Sequence, residues 1–183
     1  MKIRSVEDYE SRIKEILITP EEIKRELKRA GKFIDSLYDG RPVLLVSVLK
    51  GSFIFLADLA REVTVPCEIG FMCVKSYYEG TASTGTVQIV MDLEQDVSNY
   101  HVVIVEDIVD TGRTLRQLTD MFAGKKTLSL HIVTLLDKPD RRVVEITPDM
   151  SLFTIPDRFV IGYGLDCAEY YRTLPCIAVY GED

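Results

Sequence analysis

Residues 101–115 read HVVIVEDIVDTGRTL. An apolar run at residues 102–105 leads straight into Glu106 and Asp107, and a third carboxylate, Asp110, precedes Thr111, Gly112, Arg113 and Thr114. Four β-branched residues in succession suit a strand buried on both faces, as in the centre of a parallel sheet. Leu115, Leu118 and Phe122 then recur at helical spacing, so the acidic stretch is read as the turn between a strand and the helix after it.

Working outward, VLLVSVL at residues 43–49 is a second short apolar run, bounded by Pro42 and Gly51, and reads as another buried strand. Residues 52–61 carry apolar positions at helical spacing, and further strands are expected at residues 68–74, 86–91, 128–136 and 176–180. Thr19-Pro20-Glu21-Glu22 is a helix start: Thr19 caps, Pro20 suits the first helical position and Glu22 closes a capping box. Ile23, Leu27, Ala30, Ile34 and Leu37 mark that helix's apolar face down to a stop at Asp39-Gly40. Strands alternating with helices predict an α/β fold, a central, mostly parallel sheet flanked by helices. No repeat or linker divides the 183 residues, a length that suits one domain, expected over residues 1–183.

Two stretches do not fit this alternation. Residues 75–85 (KSYYEGTASTG) and 162–175 (GYGLDCAEYYRTLP) read as long irregular loops, which in a compact domain are usually functional.

Composition narrows the function classes. With 46% hydrophobic and 28% charged residues the chain reads as a folded, water-soluble domain. Its net charge of −7 repels nucleic acid and anionic membranes. No apolar run approaches a membrane span, and acids interrupt the amino-terminal MKIRSVEDYESRIKEI where a signal peptide needs an apolar centre, so a cytoplasmic location is expected. Cys67, Cys73, Cys167 and Cys176 form no C-x-x-C and read as free thiols. Two histidines, His101 and His131, leave little material for a histidine metal site or a Ser-His-Asp triad.

The turn itself suits a particular ligand. In open α/β sheets ligands bind beyond the carboxyl ends of the strands, where backbone amides at a helix start, threonine hydroxyls and a closely approaching glycine make a phosphate cradle. The glycine spacing matches neither the triphosphate loop nor the dinucleotide fingerprint. Glu106 and Asp107 suit polyol hydroxyls and hydrated Mg²⁺ instead. A ligand carrying phosphate, sugar and metal-bound pyrophosphate would use every part of the turn.

VVIVEDIVDTGRTL resembles the 5-phosphoribosyl 1-pyrophosphate (PRPP) binding motif of the type I phosphoribosyltransferases. VSVLKGS, KSYYEGTASTG, LLDKP and RFVIGYGLDCAEYYRTLP extend the likeness over nearly the whole chain and resemble the hypoxanthine-guanine branch. The resemblance implies the fold of that family, with a small hood formed from amino- and carboxy-terminal segments. It implies transfer of phosphoribose from PRPP to N9 of a 6-oxopurine, with Mg²⁺ as cofactor and a homodimer or homotetramer as the assembly.

The resemblance also assigns residues. Asp110, Thr111, Gly112, Arg113 and Thr114 would hold the 5′-phosphate, with Asp110 also the general base at purine N7. Glu106 and Asp107 would serve the ribose hydroxyls and the metal, joined by Asp166, which would also lie near the purine. Lys50, Gly51 and Arg172 would bind pyrophosphate, with the Leu49–Lys50 peptide often cis in such proteins. Lys138 would read the purine's 6-oxygen, since an ammonium donates and never accepts, while Phe159 stacks on the ring and Val160 reads its edge. Ser76 and Tyr77 would close as a hood loop, bending at Gly80 and Gly85. A xanthine-preferring relative, and a non-catalytic sensor of PRPP or purine, are the alternatives.

Overall fold

Pro42 and Gly51 bracket β2 (Val43–Leu49), whose first six residues are buried. In the computed structural model, which describes residues 3, 5–79 and 82–181 and gives residues 75–79 and 82–87 by their backbone alone, β2 lies near the middle of a six-stranded sheet. The chain order around it is α1 (Val6–Ser11), β1 (Ile13–Ile18), α2 (Pro20–Tyr38), β2, α3 (Phe53–Glu62), β3 (Cys67–Glu79), β4 (Ala82–Met91), β5 (His101–Val109), α4 (Arg113–Gly124), β6 (Ser129–Asp137), β7 (Met150–Thr154), β8 (Val160–Ile161) and β9 (Ile177–Tyr180).

The sheet runs β4-β3-β2-β5-β6-β7. All neighbours are parallel except the edge pair β3 and β4, so the expected α/β fold with a mostly parallel sheet is found. Alternation along the strands splits the core. Leu45, Val103, Val105 and Val133 pack with Ile34, Phe55 and Leu59 under α2 and α3, while Leu44, Val46, Val102 and Ile104 pack with Leu115, Leu118 and Phe122 of α4. The expected capping box is present: the Thr19 hydroxyl accepts from the Glu22 amide at 3.3 Å and Glu22 accepts from the Thr19 amide at 2.8 Å.

β2 passes through α3 to β3 on one side, and β5 passes through α4 to β6 on the other. The order therefore reverses between β2 and β5, and the loops after these two strands flank a crevice where such sheets bind ligands. A second sheet, β1-β9-β8, is antiparallel. It joins the amino-terminal strand to two carboxy-terminal ones, which is the small hood that was expected.

Three differences from the sequence reading matter. The fourth expected strand does not stop at Val105: β5 continues through Glu106 and Asp107 because its ladder with β6 continues, pairing Glu106 with Thr134 and Val109 with Asp137. Residues 75–79 and 82–85 are not an irregular loop but the extended ends of β3 and β4, paired with one another. Gly80 lies outside the described residues, as do the side chains of Ser76 and Tyr77. The short strands β1, β7 and β8 were not foreseen, while residues 162–175 are irregular as expected.

Candidate active site

Strand alternation sends Glu106 and Asp107 to opposite faces at the carboxyl end of β5; Asp107 is partly buried. Glu106 is buried and its Oε2 has no hydrogen-bond partner. Burial first, and the adjacent Asp107 charge second, hold its pKa well above the carboxylate range. Burial also pushes Asp107 up to about 6, against the hydrogen bond from the Ile108 amide. Glu106, buried with a bare oxygen, lacks a positive counter-charge, and Asp107 has only the Arg172 guanidinium, among the described residues, to offset its charge.

That deficit fits a divalent cation. Among the described residues no three His, Cys, Asp or Glu side chains converge as a ready cage. Mg²⁺ does not need one, since it keeps several waters and takes one or two carboxylates beside substrate phosphates. Glu106 and Asp107 line a cleft of about 550 Å³ together with Lys50, Gly51, Asp166 and Arg172.

The turn after β5 builds the adjoining hollow of about 240 Å³, lined by Glu106, Asp107, Asp110, Thr111, Gly112 and Thr114. Gly112 is the N-cap of α4 at φ +84° and offers no side chain to cap the helix, whose first amide, that of Arg113, reaches the Thr111 hydroxyl at 3.5 Å. The helix start at Gly112, Thr114 and Leu115 borders the hollow, with the positive end of the helix behind it. A side chain on Gly112 is excluded twice, by the left-handed φ and by Ile146 and Arg142 atoms 2.5 and 2.9 Å from where a Cβ would stand. Arg113 is the first residue of α4.

Across the crevice, the Leu49–Lys50 peptide is cis. Lys50 Nζ lies 3.1 Å from Glu169 Oε2, and the same carboxylate is 3.2 Å from Arg172. Arg172 also pairs with Asp166 at 2.8 Å. Lys50 and Glu169 are 64% and 66% exposed, so this bridge is weak and an incoming anion can displace it. Asp166 thus sits with the pyrophosphate-side cations. Glu169 had no signal in the sequence; it reaches Lys50 only because the 162–172 segment folds back over β2.

The expected purine side is a separate cluster. Lys138 is buried and donates to the Arg158 carbonyl at 2.7 Å. Asp110 accepts from Arg141 Nε at 3.1 Å, and Arg141 reaches Asp157 at 3.5 Å. Arg142 donates to the Asp110 carbonyl at 2.6 Å and pairs with Asp137. Phe159 is 56% exposed, edge-on to Tyr180, and is followed by Val160 on the hood's edge strand β8. Arg141 and Arg142 were missed because neither lies in a motif; proximity through the Pro139–Arg141 turn brings them to Asp110.

An open sheet with paired acids at its switch point, a glycine turn opening a helix beyond them and a small second sheet packed on its core is the arrangement of a phosphoribosyl-handling protein. The phosphoribosyl transferase domain model matches residues 13–168. A hypoxanthine-guanine phosphoribosyltransferase of Streptococcus pneumoniae is 47% identical over 95% of this chain and 97% of its own. The crystal structure of a hypoxanthine phosphoribosyltransferase from Staphylococcus aureus superposes with a TM-score of 0.91 at 43% identity, covering 98% of this chain and 97% of the other. That of Trypanosoma cruzi, solved in work on its carboxy-terminal region, oligomeric state and activity, gives 0.89 at 42% identity, covering 97% and 94%. The chain belongs to the hypoxanthine-guanine phosphoribosyltransferases.

Proposed function

We propose that the protein transfers the 5-phosphoribosyl group of PRPP to N9 of hypoxanthine, and of guanine, giving IMP or GMP and pyrophosphate. The observation that carries this reading is the pairing of buried Glu106 and partly buried Asp107 with the turn from Asp110 to Thr114 around one hollow. Glu106, Asp107 and Asp166 would hold Mg²⁺, which would supply positive charge against the pyrophosphate leaving group. Lys50, the Gly51 backbone and Arg172 take the charge that accumulates on the leaving oxygens, where preorganised positive groups have most effect. Thr111, Gly112, Arg113 and Thr114 anchor the 5′-phosphate and so fix the ribose carbon in line with the base.

As N9 attacks that carbon, Asp110 takes the proton from purine N7, a step of about 10²- to 10⁴-fold in rate. Lys138 donates to the 6-oxygen and so rejects the 6-amino group of adenine. Phe159 stacks on the purine face with Val160 at its edge, and the β3–β4 hairpin with Ser76 and Tyr77 closes over the reactants to exclude water. The hood and the central sheet share one core, in which Ile18, Val160 and Ile177 pack with Leu45 and Val103, and residues 1–183 act as one domain.

The exposed Ile69, Phe71 and Met91 on β3 and β4 support a homodimer or homotetramer. No helix among the described residues is long and apolar enough to cross a membrane, and the protein is assigned to the cytoplasm with small-molecule substrates alone. The test is stoichiometry: PRPP, Mg²⁺ and hypoxanthine give IMP and pyrophosphate in equal amounts. Pyrophosphate released without IMP contradicts the reading. PRPP bound without turnover points to the sensor.

A further inference from the structure

The pyrophosphate side of the cleft is built from two loops that meet with no side chain between them. A Cβ on Gly164 would overlap the Gly51 carbonyl oxygen, and Gly164 has φ +106°. Its amide donates to the Arg172 carbonyl at 2.9 Å, and its own carbonyl accepts from the Arg172 guanidinium at 2.8 Å. The turn at residues 162–164 therefore fixes Arg172 and rests directly on the loop that carries Lys50.

Tyr163, in the middle of that turn, is held at φ +49°, a left-handed conformation that a bulky side chain adopts only when its surroundings demand it. Its ring is buried, and its hydroxyl donates to Asp58 Oδ2 at 2.7 Å. The other Asp58 oxygen accepts from Arg61 at 2.6 Å. Asp58 stands on α3, the helix that starts at Phe53 immediately after Lys50, Gly51 and Ser52. Tyr163 is thus joined to one rigid unit at two places, by its hydroxyl to Asp58 and through its neighbour Gly164 to Gly51. The ring also borders a cavity of about 340 Å³ with Ile23, Leu27 and Pro175, so packing does not hold it on every side.

We infer that the Tyr163 hydroxyl and Asp58 form a positioning pair for the pyrophosphate half of the active site, keeping Asp166 and Arg172 in register with Lys50 and Gly51. This rests on the PRPP reading above. Burial, and then the hydrogen bond to Asp58, raise the phenol's pKa, so the hydroxyl remains a donor over the working pH range. The purine half is tied instead to Arg141, Asp157 and the Arg158 carbonyl. The pair therefore acts on one substrate and not the other.

The test compares Tyr163→Phe, Asp58→Asn and the double variant with wild type in KM for PRPP, KM for hypoxanthine, product inhibition by pyrophosphate, and Tm. Tyr163→Phe is expected to raise the PRPP KM and weaken pyrophosphate inhibition by about tenfold, with the hypoxanthine KM moving less than about twofold. Asp58→Asn, which keeps a neutral acceptor, is expected to fall between. The double variant is expected to be no worse than Tyr163→Phe, as for two members of one unit. A lowered Tm with both KM values unchanged, or both raised equally, overturns the inference. Asp58 is on the surface, so if Tyr163→Phe does not fold, Asp58→Asn decides: an unchanged PRPP KM rejects the pair. Wild-type protein that fails to consume PRPP with hypoxanthine overturns the functional reading itself, before any variant is compared.

Discussion

The Asp107 carboxylate fills the space in which a Cβ on Gly51 would stand. The metal-side acid and the pyrophosphate-side loop, 56 positions apart in the chain, are thereby in direct contact, and each sets the other's place.

Gly51→Ala is therefore expected to leave the fold intact and remove the function. The clash falls on the end of a side chain, which can swing away, so the Tm should move by no more than a few degrees. A displaced Asp107 should lower kcat/KM for PRPP by about 10²-fold, as misplacements near 1 Å do. Full activity in Gly51→Ala would show that Asp107 has no fixed role.

The raised carboxyl groups make a prediction about pH. Glu106 and Asp107 bind protons more tightly in the folded protein than in the unfolded chain, whose carboxyls titrate near ~4. Stability of the ligand-free protein should then fall as pH rises through that value and on through about 6, where Asp107 ionises. Glu106→Gln removes a buried group whose ionisation burial opposes and should stabilise the ligand-free protein at pH 8 by about 1–3 kcal/mol, with a Tm rise of ~2–4 °C per kcal/mol. The gain should vanish near pH 4. Thermal unfolding at the two pH values checks this; a variant less stable than wild type at pH 8 contradicts it.

Much of this arrangement is legible in the sequence. Pro42 and Gly51 bracket β2, Thr19 to Glu22 announce α2, and the turn at residues 110–114 lies where a strand and helix pattern places it. The end of β5 was not legible, because charge signals exposure when read locally while Glu106 is buried by β6 and α4 around it. Edge strand β8 has two residues, too few to show a period, and the six residues of β1 show no alternation between buried and exposed positions. Glu169, Arg141 and Tyr163 join the site's surroundings across 119, 31 and 105 positions, and no local pattern encodes contacts of that range.

Asp110→Asn keeps the side chain's size and its place beside Arg141 but removes its proton affinity. Turnover should fall about 10²- to 10⁴-fold, while PRPP affinity changes little. Equal losses in single-turnover rate and PRPP binding would argue for a phosphate-binding role alone.

Lys138→Ala should raise the KM for hypoxanthine and guanine by at least about tenfold, since a donor to the 6-oxygen is lost and the Arg158 carbonyl is left without its 2.7 Å partner. PRPP binding, carried by the turn at residues 111–114 and by Lys50 and Arg172 and not by the Lys138 side chain, should be preserved. Unchanged purine kinetics would remove Lys138 from base recognition.

The most direct measurement offers the protein PRPP and Mg²⁺ with hypoxanthine, guanine, xanthine and adenine in separate reactions, following nucleotide and pyrophosphate together. Nucleotide formed from hypoxanthine and guanine but not from adenine is the predicted result. Turnover of adenine at a comparable rate, or of none of the four bases, would contradict it.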